Sequence, residues 1–175
     1  MLRPAALAAV LVGVQRLLEL SLSRRNERRL RDRGAVERGR EHYPFMVALH
    51  ALWLLCMAVE GNRNPNLKTG RFALAAFPFL LAQPVRYWAI ASLGDYWNTR
   101  ILVVPGENLV RRGPYRYVRH PNYLVVVTEI LTLPLIFGAW VTALVFSVLN
   151  AVLLFIRIRE EERALQELAE WPDDG

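Results

Sequence analysis

The stretch that organises this chain reads Gly113-Pro114-Tyr115-Arg116-Tyr117-Val118-Arg119-His120-Pro121-Asn122-Tyr123, and it directly precedes an apolar run over residues 124–140. Pro121 disfavours helix at His120 and suits the first position of a helix. Arg119 and His120 are therefore expected on an extended approach to a helix that begins at Pro121. Their side chains and the free N–H groups of that helix start would meet at one site that attracts an anion.

A simpler interpretation of this stretch is an interfacial belt, in which arginines and tyrosines hold the end of a spanning helix at the level of the lipid headgroups. Such an anchor requires neither His120 nor two prolines at a fixed spacing. The pattern therefore favours a binding site at a membrane boundary over an anchor alone.

The composition indicates a membrane protein. Of the 175 residues 54% are hydrophobic, with a mean hydropathy of +0.19, which exceeds the apolar share of ordinary soluble domains. The formal net charge of +6 comes mostly from arginines between apolar runs, which favours loops that face anionic lipid over a nucleic-acid partner.

Cys56 is the only cysteine, so no internal disulfide is possible. The three histidines have no cysteine cluster nearby, so no metal site is predicted.

Five apolar stretches predict membrane-spanning helices. They cover residues 2–22, 43–59, 72–93, 122–137 and 140–156. The first is interpreted as a span that stays in the mature chain, because no small-residue cleavage site follows its apolar core. Pro78 and Pro84 predict a kink or break in the third span. The expected fold is an all-α integral membrane protein with about five transmembrane helices.

The connections between the spans carry most of the basic residues. Residues 24–40 hold eight arginines and are predicted as a loop that sets topology or binds acidic headgroups, with helix breaks at Gly34 and Gly39. Residues 60–71 predict a turn, and residues 94–112 predict an ordered loop with a strand-like piece at 101–104. The arginine distribution places the N-terminus outside and residues 94–119 in the cytoplasm.

The pattern Gly-Pro-Tyr-x-x-x-Arg-His-Pro-x-Tyr resembles a signature of the isoprenylcysteine carboxyl methyltransferase family, integral membrane enzymes that use S-adenosylmethionine. A second element similar to that family follows as Arg157-Ile158-Arg159-Glu160-Glu161-Glu162-Arg163-Ala164-Leu165. The resemblance covers residues 80–168, whereas residues 1–79 carry no recognised motif. It implies one membrane methyltransferase domain over residues 1–175, in the inner membrane of a bacterium.

The resemblance also implies a cytoplasmic S-adenosylmethionine pocket formed by the loop before the fourth helix and by the C-terminal helix. The expected cofactor-binding residues are Tyr115, Arg119, His120, Pro121, Tyr123, Asn150, Arg157, Glu161 and Glu162. Arg119, Arg157 and Glu161 are the expected catalytic residues. Arginine suits the cofactor carboxylate, and glutamate suits its ammonium group or ribose diol.

Helical spacing supports part of this assignment. Asn150, Arg157 and Glu161 lie within roughly 40° of one line along the fifth helix. The alternative is a helix end held by surface ion pairs, which explains the later charges well but explains Asn150 and Arg157 poorly, because both lie on the membrane segment or at its edge.

Polar residues within the other spans are candidates for substrate contact. Arg86 and Glu129 are charged residues within predicted spans, which is rare unless they face a bundle interior or a cavity. Together with Arg100 they are expected to bind the polar head of a lipophilic substrate that enters sideways between helices. His50 is interpreted as a helix-packing residue. The family resemblance leaves a carboxylate and an enol or hydroxyl oxygen open as methyl acceptors, the latter including alkylpyrones.

Two other functions stay open at this point. Membrane sterol-type reductases also carry an Arg-His-Pro-Asn-Tyr run and use a nicotinamide cofactor, but the upstream Gly-Pro-Tyr and the downstream Arg/Glu element look like the methyltransferases. A non-enzymatic membrane scaffold would use its arginines only to set topology. Membrane lipids are expected neighbours, and the oligomeric state is left open.

Overall fold

The computed structural model describes residues 3–63 and 69–169. Five helices carry the fold: α1 (Pro4–Asp32), α2 (Tyr43–Arg63), α3 (Thr69–Leu93), α4 (Pro121–Ile136) and α5 (Trp140–Leu168). Two short strands, β1 (Val36–Arg38) and β2 (Ile101–Val103), pair antiparallel with Glu37 opposite Leu102. Within the described residues, α1, α5 and the stretch Arg40–Arg63 are long and apolar enough to cross a membrane, and α4 is a shorter apolar helix. The predicted helical membrane fold is confirmed.

The first helix is longer than the sequence predicts. It continues through residues 24–32, which were expected to form a loop, and ends just before Gly34, whose φ of 84° breaks it. Arginine, glutamate and leucine are good helix formers, so this segment has no reason to leave the helix early. One face of it is buried at Ser23, Asn26 and Leu30. The extension thus places α1 against the loop before α4.

The third helix corrects part of a second expectation, which was a kink or a break. Pro78 and Pro84 lie inside one continuous helix, so neither proline breaks it. Transmembrane helices tolerate proline because a neighbouring helix and small local adjustments satisfy the freed backbone groups. Here α3 packs along α4, to which it makes its most extensive contact. Proline alone therefore did not determine the end of this helix.

The apolar core lies between α2, α4 and α5. Trp53 and Met57 are fully buried beside Ile130, and the Trp53 indole Nε1 donates a hydrogen bond to the Ile130 carbonyl oxygen at 3.2 Å. Gly61 allows α2 to approach α1 closely, because a Cβ at this position would lie 2.8 Å from the Ala5 Cβ. These contacts hold α2, α4 and α5 together within the apolar part of the bundle.

Contacts at the two ends of the bundle show which segments lie together at each end. At one end, the Asn26 side chain donates to the carbonyl oxygens of Gly94 and Trp97 at 3.1 and 2.8 Å. At the other end, the Arg3 guanidinium donates to the Asn62 carbonyl oxygen at 2.6 Å, and Gly138, with φ of 70°, turns the chain between α4 and α5. The basic segments 24–40 and 94–119 thus share one end, as the sequence predicts.

Candidate active site

The Gly-Pro-Tyr part of the motif seats its loop on the end of α3. Gly113 has φ of 59°, and a Cβ there would lie 1.9 Å from the Ser92 Oγ. The neighbouring Arg112 Nε donates to the Ser92 carbonyl oxygen at 2.6 Å. Only glycine fits this close approach, so the motif begins with a residue that fixes the loop rather than one that carries chemistry.

Pro121 begins α4, as predicted, and His120 stands before it in a non-helical conformation. The His120 ring stacks on the Tyr123 ring with centroids 5.3 Å apart. Its Nε2 lies 2.9 Å from a Glu162 carboxylate oxygen, and the Arg119 Nη1 lies 3.2 Å from the other. The two sequence elements therefore meet in one cluster.

Tyr123 links the two elements more deeply. Its hydroxyl donates to the Glu161 carboxylate and accepts a hydrogen bond from the Arg157 Nε at 2.8 Å. Arg157, which is 6% exposed, also donates from Nη2 to the Thr99 carbonyl oxygen at 2.7 Å, and its Nη1 lies 3.7 Å from the Met46 sulfur. One guanidinium thus joins α5 to α4, to α2 and to the loop before α4.

A cavity of about 970 Å³ opens beside this cluster. The predicted residues that line it are Tyr115, Arg119, His120, Tyr123, Arg157, Glu161 and Glu162. From this charged end the cavity continues along an apolar wall of α1 and α2 that includes Leu17, Val47 and Leu54. Burial raises the pKa of the Tyr115 phenol, with the Glu161 charge adding to the effect, so this hydroxyl stays neutral.

Two predicted cofactor residues do not line the cavity. Asn150 is buried on α5 but lies seven residues before Arg157, roughly 10 Å deeper along the helix. Pro121 is buried where α4 begins. The spacing correctly predicted that Asn150 lies on the same buried face of α5 as Arg157. It could not predict how far along the helix the cavity extends, and Asn150 lies outside the part of α5 that lines it.

The N-terminal third supplies walls that the sequence did not indicate. Tyr43, Met46, His50 and Leu54 of α2 all line the cavity. Their spacing of three and four residues is that of one helical face, which was the available signal. Without a motif in residues 1–79, that face was indistinguishable from ordinary helix packing.

Arg86 and Glu129, two predicted substrate residues, are partners of each other in a buried ionic cluster with Arg16 and Glu19. The Arg86 guanidinium bonds to Glu129 and lies 3.4 Å from Glu19, while Arg16 lies 2.5 Å from Glu19 and 2.8 Å from Glu129. The four formal charges cancel, as charges inside a membrane must. Arg16, Glu19 and Arg86 line the cavity, with Glu129 behind them.

Arg100, the third predicted substrate residue, also lines the cavity. Its Nη1 lies 2.5 Å from a Glu37 oxygen, and its guanidinium stacks 4.2 Å above the Tyr43 ring. Burial raises the pKa of the Glu37 carboxyl, but hydrogen bonds from Arg31 and Arg100 outweigh it, so this pKa lies below its ordinary value. The β1–β2 pair therefore carries an ionised carboxylate that holds Arg100 in place.

Fold and cavity together define a helical integral membrane protein whose polar site continues along an apolar wall. The model of the isoprenylcysteine carboxyl methyltransferase (ICMT) family matches residues 73–167, and the chain belongs to this family. Membership indicates a membrane methyltransferase. No solved structure matches the chain.

Two relatives are similar over most of the chain. The uncharacterized protein YpbQ of Bacillus subtilis (strain 168) is 48% identical over 164 residues, which cover 92% of this chain and 95% of the relative. An uncharacterized protein of Haemophilus influenzae (strain ATCC 51907 / DSM 11121 / KW20 / Rd) is 31% identical over 157 residues, covering 87% and 90%. Both alignments are too long to fit within residues 73–175, so the similarity extends into the part of the chain before the family match.

Proposed function

We propose that this protein is an S-adenosylmethionine-dependent O-methyltransferase that modifies a carboxylate or an enol or hydroxyl oxygen of a lipophilic acceptor within the membrane. One observation carries the proposal: a single cavity joins a charged end, built by both sequence elements, to an apolar wall from α1 and α2. A polar cofactor and an acceptor with an apolar tail require such a combination.

The residues at the charged end fit the proposed cofactor. The Glu161 and Glu162 carboxylates suit an ammonium group or a ribose diol, and Arg119 at the rim suits a carboxylate. Asn122, which also lines the cavity, has a side-chain oxygen without a hydrogen-bond partner in the described part of the chain. The cavity of about 970 Å³ is at the upper end of the range for small-molecule sites, so cofactor and acceptor head fit together.

S-adenosylmethionine, when bound, supplies a methyl group on a positively charged sulfur. The protein's part is then mainly to position the reactants and exclude water. A carboxylate acceptor loses no proton, whereas a hydroxyl acceptor gives its proton to a base as its oxygen becomes methylated. Arg157, through Tyr123, holds the Glu161 carboxylate in one orientation. His120 and Arg119 do the same for Glu162. On this basis we propose Arg119, Arg157 and Glu161 as the catalytic residues.

The acceptor is proposed to enter sideways from the lipid, with its head towards Arg86 and Arg100. Both arginines line the cavity, whereas Glu129 serves by holding Arg86. The polar end of the bundle is proposed to face the cytoplasm, in the inner membrane of a bacterium, where S-adenosylmethionine is made. Residues 1–175 then act as one domain, because both the unmatched α1–α2 part and the matched part line the cavity.

The test is ligand binding to the purified protein in detergent. S-adenosylhomocysteine should raise the unfolding temperature with increasing concentration, since a ligand at about 100 times its Kd stabilises the folded state by about 2.7 kcal/mol. Homocysteine and adenosine, added separately, are the matched controls. Stabilisation by NADPH but not by S-adenosylhomocysteine would indicate a reductase, and no response to either would indicate a scaffold.

A further inference from the structure

His50 combines helix packing with a place on the cavity wall. Its Nδ1 lies 2.8 Å from the Met46 carbonyl oxygen, and its ring stands edge-on to Trp53 with centroids 6.4 Å apart. These two contacts fix the ring within the membrane-spanning part of α2. The same residue lines the cavity.

The backbone contact determines the protonation of this ring. A carbonyl oxygen only accepts hydrogen bonds, so Nδ1 must carry the hydrogen. His50 has no ion pair with any residue in the described ranges, and an unpaired imidazolium within an apolar span is costly. The ring is therefore neutral, and Nε2 holds a lone pair. No described residue bonds Nε2, and protein atoms do not seal it off.

His50 lies one helical turn from a residue that contacts the charged end of the cavity, and it shares the cavity with the ionic cluster. Met46, whose sulfur contacts Arg157, precedes it by one turn of α2, about 6 Å along the helix. Arg16 and Arg86 line the same cavity. An acceptor head beside His50, within the part of the cavity that Arg86 also lines, would leave its tail on the apolar wall.

The charges around this position favour a neutral head. Arg16 and Arg86 are balanced by Glu19 and Glu129, and Arg157 is bonded to Tyr123 and to the Thr99 carbonyl oxygen. A carboxylate brought beside His50 would add an uncompensated negative charge in a medium of low dielectric, facing a lone pair. A hydroxyl would instead donate its hydrogen to that lone pair.

We propose that His50 is a specificity-determining residue for the methyl acceptor: its Nε2 accepts a hydrogen bond from a neutral hydroxyl on a head with an apolar tail. This inference rests on the proposed function and narrows its acceptor from two oxygen types to one. The tail lies along Leu17, Val47 and Leu54.

The first test uses the wild-type protein in detergent and three probes with the same tail. para-Dodecylphenol has the donor, para-dodecylanisole keeps the oxygen without its hydrogen, and para-dodecylbenzoate carries the charge. A neutral hydrogen bond should make the phenol bind about three- to tenfold more tightly than the anisole. Equal affinity for phenol and anisole, or tightest binding of the benzoate, overturns the proposal.

The second test assigns the preference to His50. His50→Leu keeps the bulk in an apolar span and removes the acceptor nitrogen, so the phenol and the anisole should bind equally. His42→Leu is the matched control, because His42 does not line the cavity, and it should keep the wild-type preference. A preference that persists in His50→Leu overturns the assignment, and the wild-type comparison remains decisive if this variant does not fold.

Binding of S-adenosylhomocysteine, measured on the same samples, separates this inference from the proposed function. Stabilisation by S-adenosylhomocysteine without a phenol preference rejects the role of His50 and leaves the methyltransferase intact. A phenol preference without any effect of S-adenosylhomocysteine supports His50 as the recognition residue and rejects the proposed cofactor.

Discussion

At the scale of single residues, Tyr123 decides how the site holds together. Its hydroxyl stands between the Arg157 guanidinium and the Glu161 carboxylate, which lie on the same face of α5 one turn apart. Both charges are thereby oriented towards the cavity rather than paired on a helix surface. The interpretation of this segment as surface ion pairs holds for Glu160 with Arg163, and Glu167 further along pairs with the exposed Arg38.

Alanine at Arg157 or Glu161 should weaken binding of S-adenosylhomocysteine about thirtyfold or more. Loss of a charge-assisted hydrogen bond in a desolvated site costs about 2 kcal/mol or more, about thirtyfold in affinity. Glu167→Ala is the control, since an exposed ion pair contributes well under ~1 kcal/mol and the variant should bind normally. A titration of each purified variant by calorimetry measures the difference.

Folded variants at positions 157 and 161 that bind as tightly as the parent would restrict the proposed cofactor site to residues 113–123. A similar control at Glu170 lies outside the described residues.

The residue types of the site were predictable, but some of their partners were not. The His120-Pro121 junction follows from the sequence pattern, and the contact between the two motif elements was implied by the family resemblance. The bond between Arg86 and Glu129 does not, because it depends on how α3 packs on α4 and on α1 supplying Arg16 and Glu19 from more than 60 positions away. Local spacing cannot show which buried charges will neutralise each other.

At the scale of the helices, the start of α5 depends on a side chain from another helix. The Glu60 carboxylate of α2 accepts hydrogen bonds from the backbone N–H groups of Val141 and Thr142 at 3.0 and 2.8 Å, and from the Thr142 hydroxyl at 2.6 Å. A carboxylate at a helix N-terminus satisfies free N–H groups and complements the helix dipole.

Glu60→Ala should therefore lower the free energy of unfolding by about 1 to 2 kcal/mol. Glu41→Ala is the matched control, because Glu41 lies exposed on a short turn before α2 and should have little effect. Unfolding in mixed micelles with a rising fraction of denaturing detergent gives both values. Equal stability of the two variants would show that the cap at α5 contributes nothing.

The β1–β2 pair should weaken in acid. The Glu37 carboxyl has a lowered pKa in the folded protein, so its ion pairs stabilise the fold above its ordinary pKa of about 4.5, and this stabilisation is lost as the pH falls through the lower folded value. The difference in unfolding free energy between the wild type and Glu37→Gln should be largest at pH 7 and shrink below about pH 4.5. A difference that is the same at pH 7 and pH 4 would contradict this assignment.

Element positions were predicted well, and element ends less well. Apolar runs located all five helices, and Gly34 was correctly identified as a helix break. The polar extension of α1 to Asp32 was missed because a hydropathy pattern detects only the apolar part of a helix. That extension is stabilised by contacts such as the bonds from Asn26 to Gly94 and Trp97, which no local pattern reveals.

At the scale of the whole molecule, the two ends of the bundle should lie on opposite sides of the membrane. Arg63 ends α2 at the same end as Arg3, and Arg116 lies in the loop at the polar end. In a Cys56→Ala background, an impermeant maleimide should label Arg63→Cys in intact cells and Arg116→Cys only after lysis, because the more basic end faces the cytoplasm. Labelling of both from one side, or the reverse order, would reject the proposed orientation.

The pairing of β1 with β2 bears on how this protein can be divided. The family match begins at residue 73, yet β1 and the extended end of α1 brace the loop that carries Arg100, and α2 lines the cavity beside Arg157. A fragment limited to the matched region would lack β1, the partner strand of β2 in the described residues. It would also lack the wall of the cavity that α1 and α2 form. We therefore expect that exchanging the first two helices with those of a relative would change the shape of the cavity as well as two membrane spans.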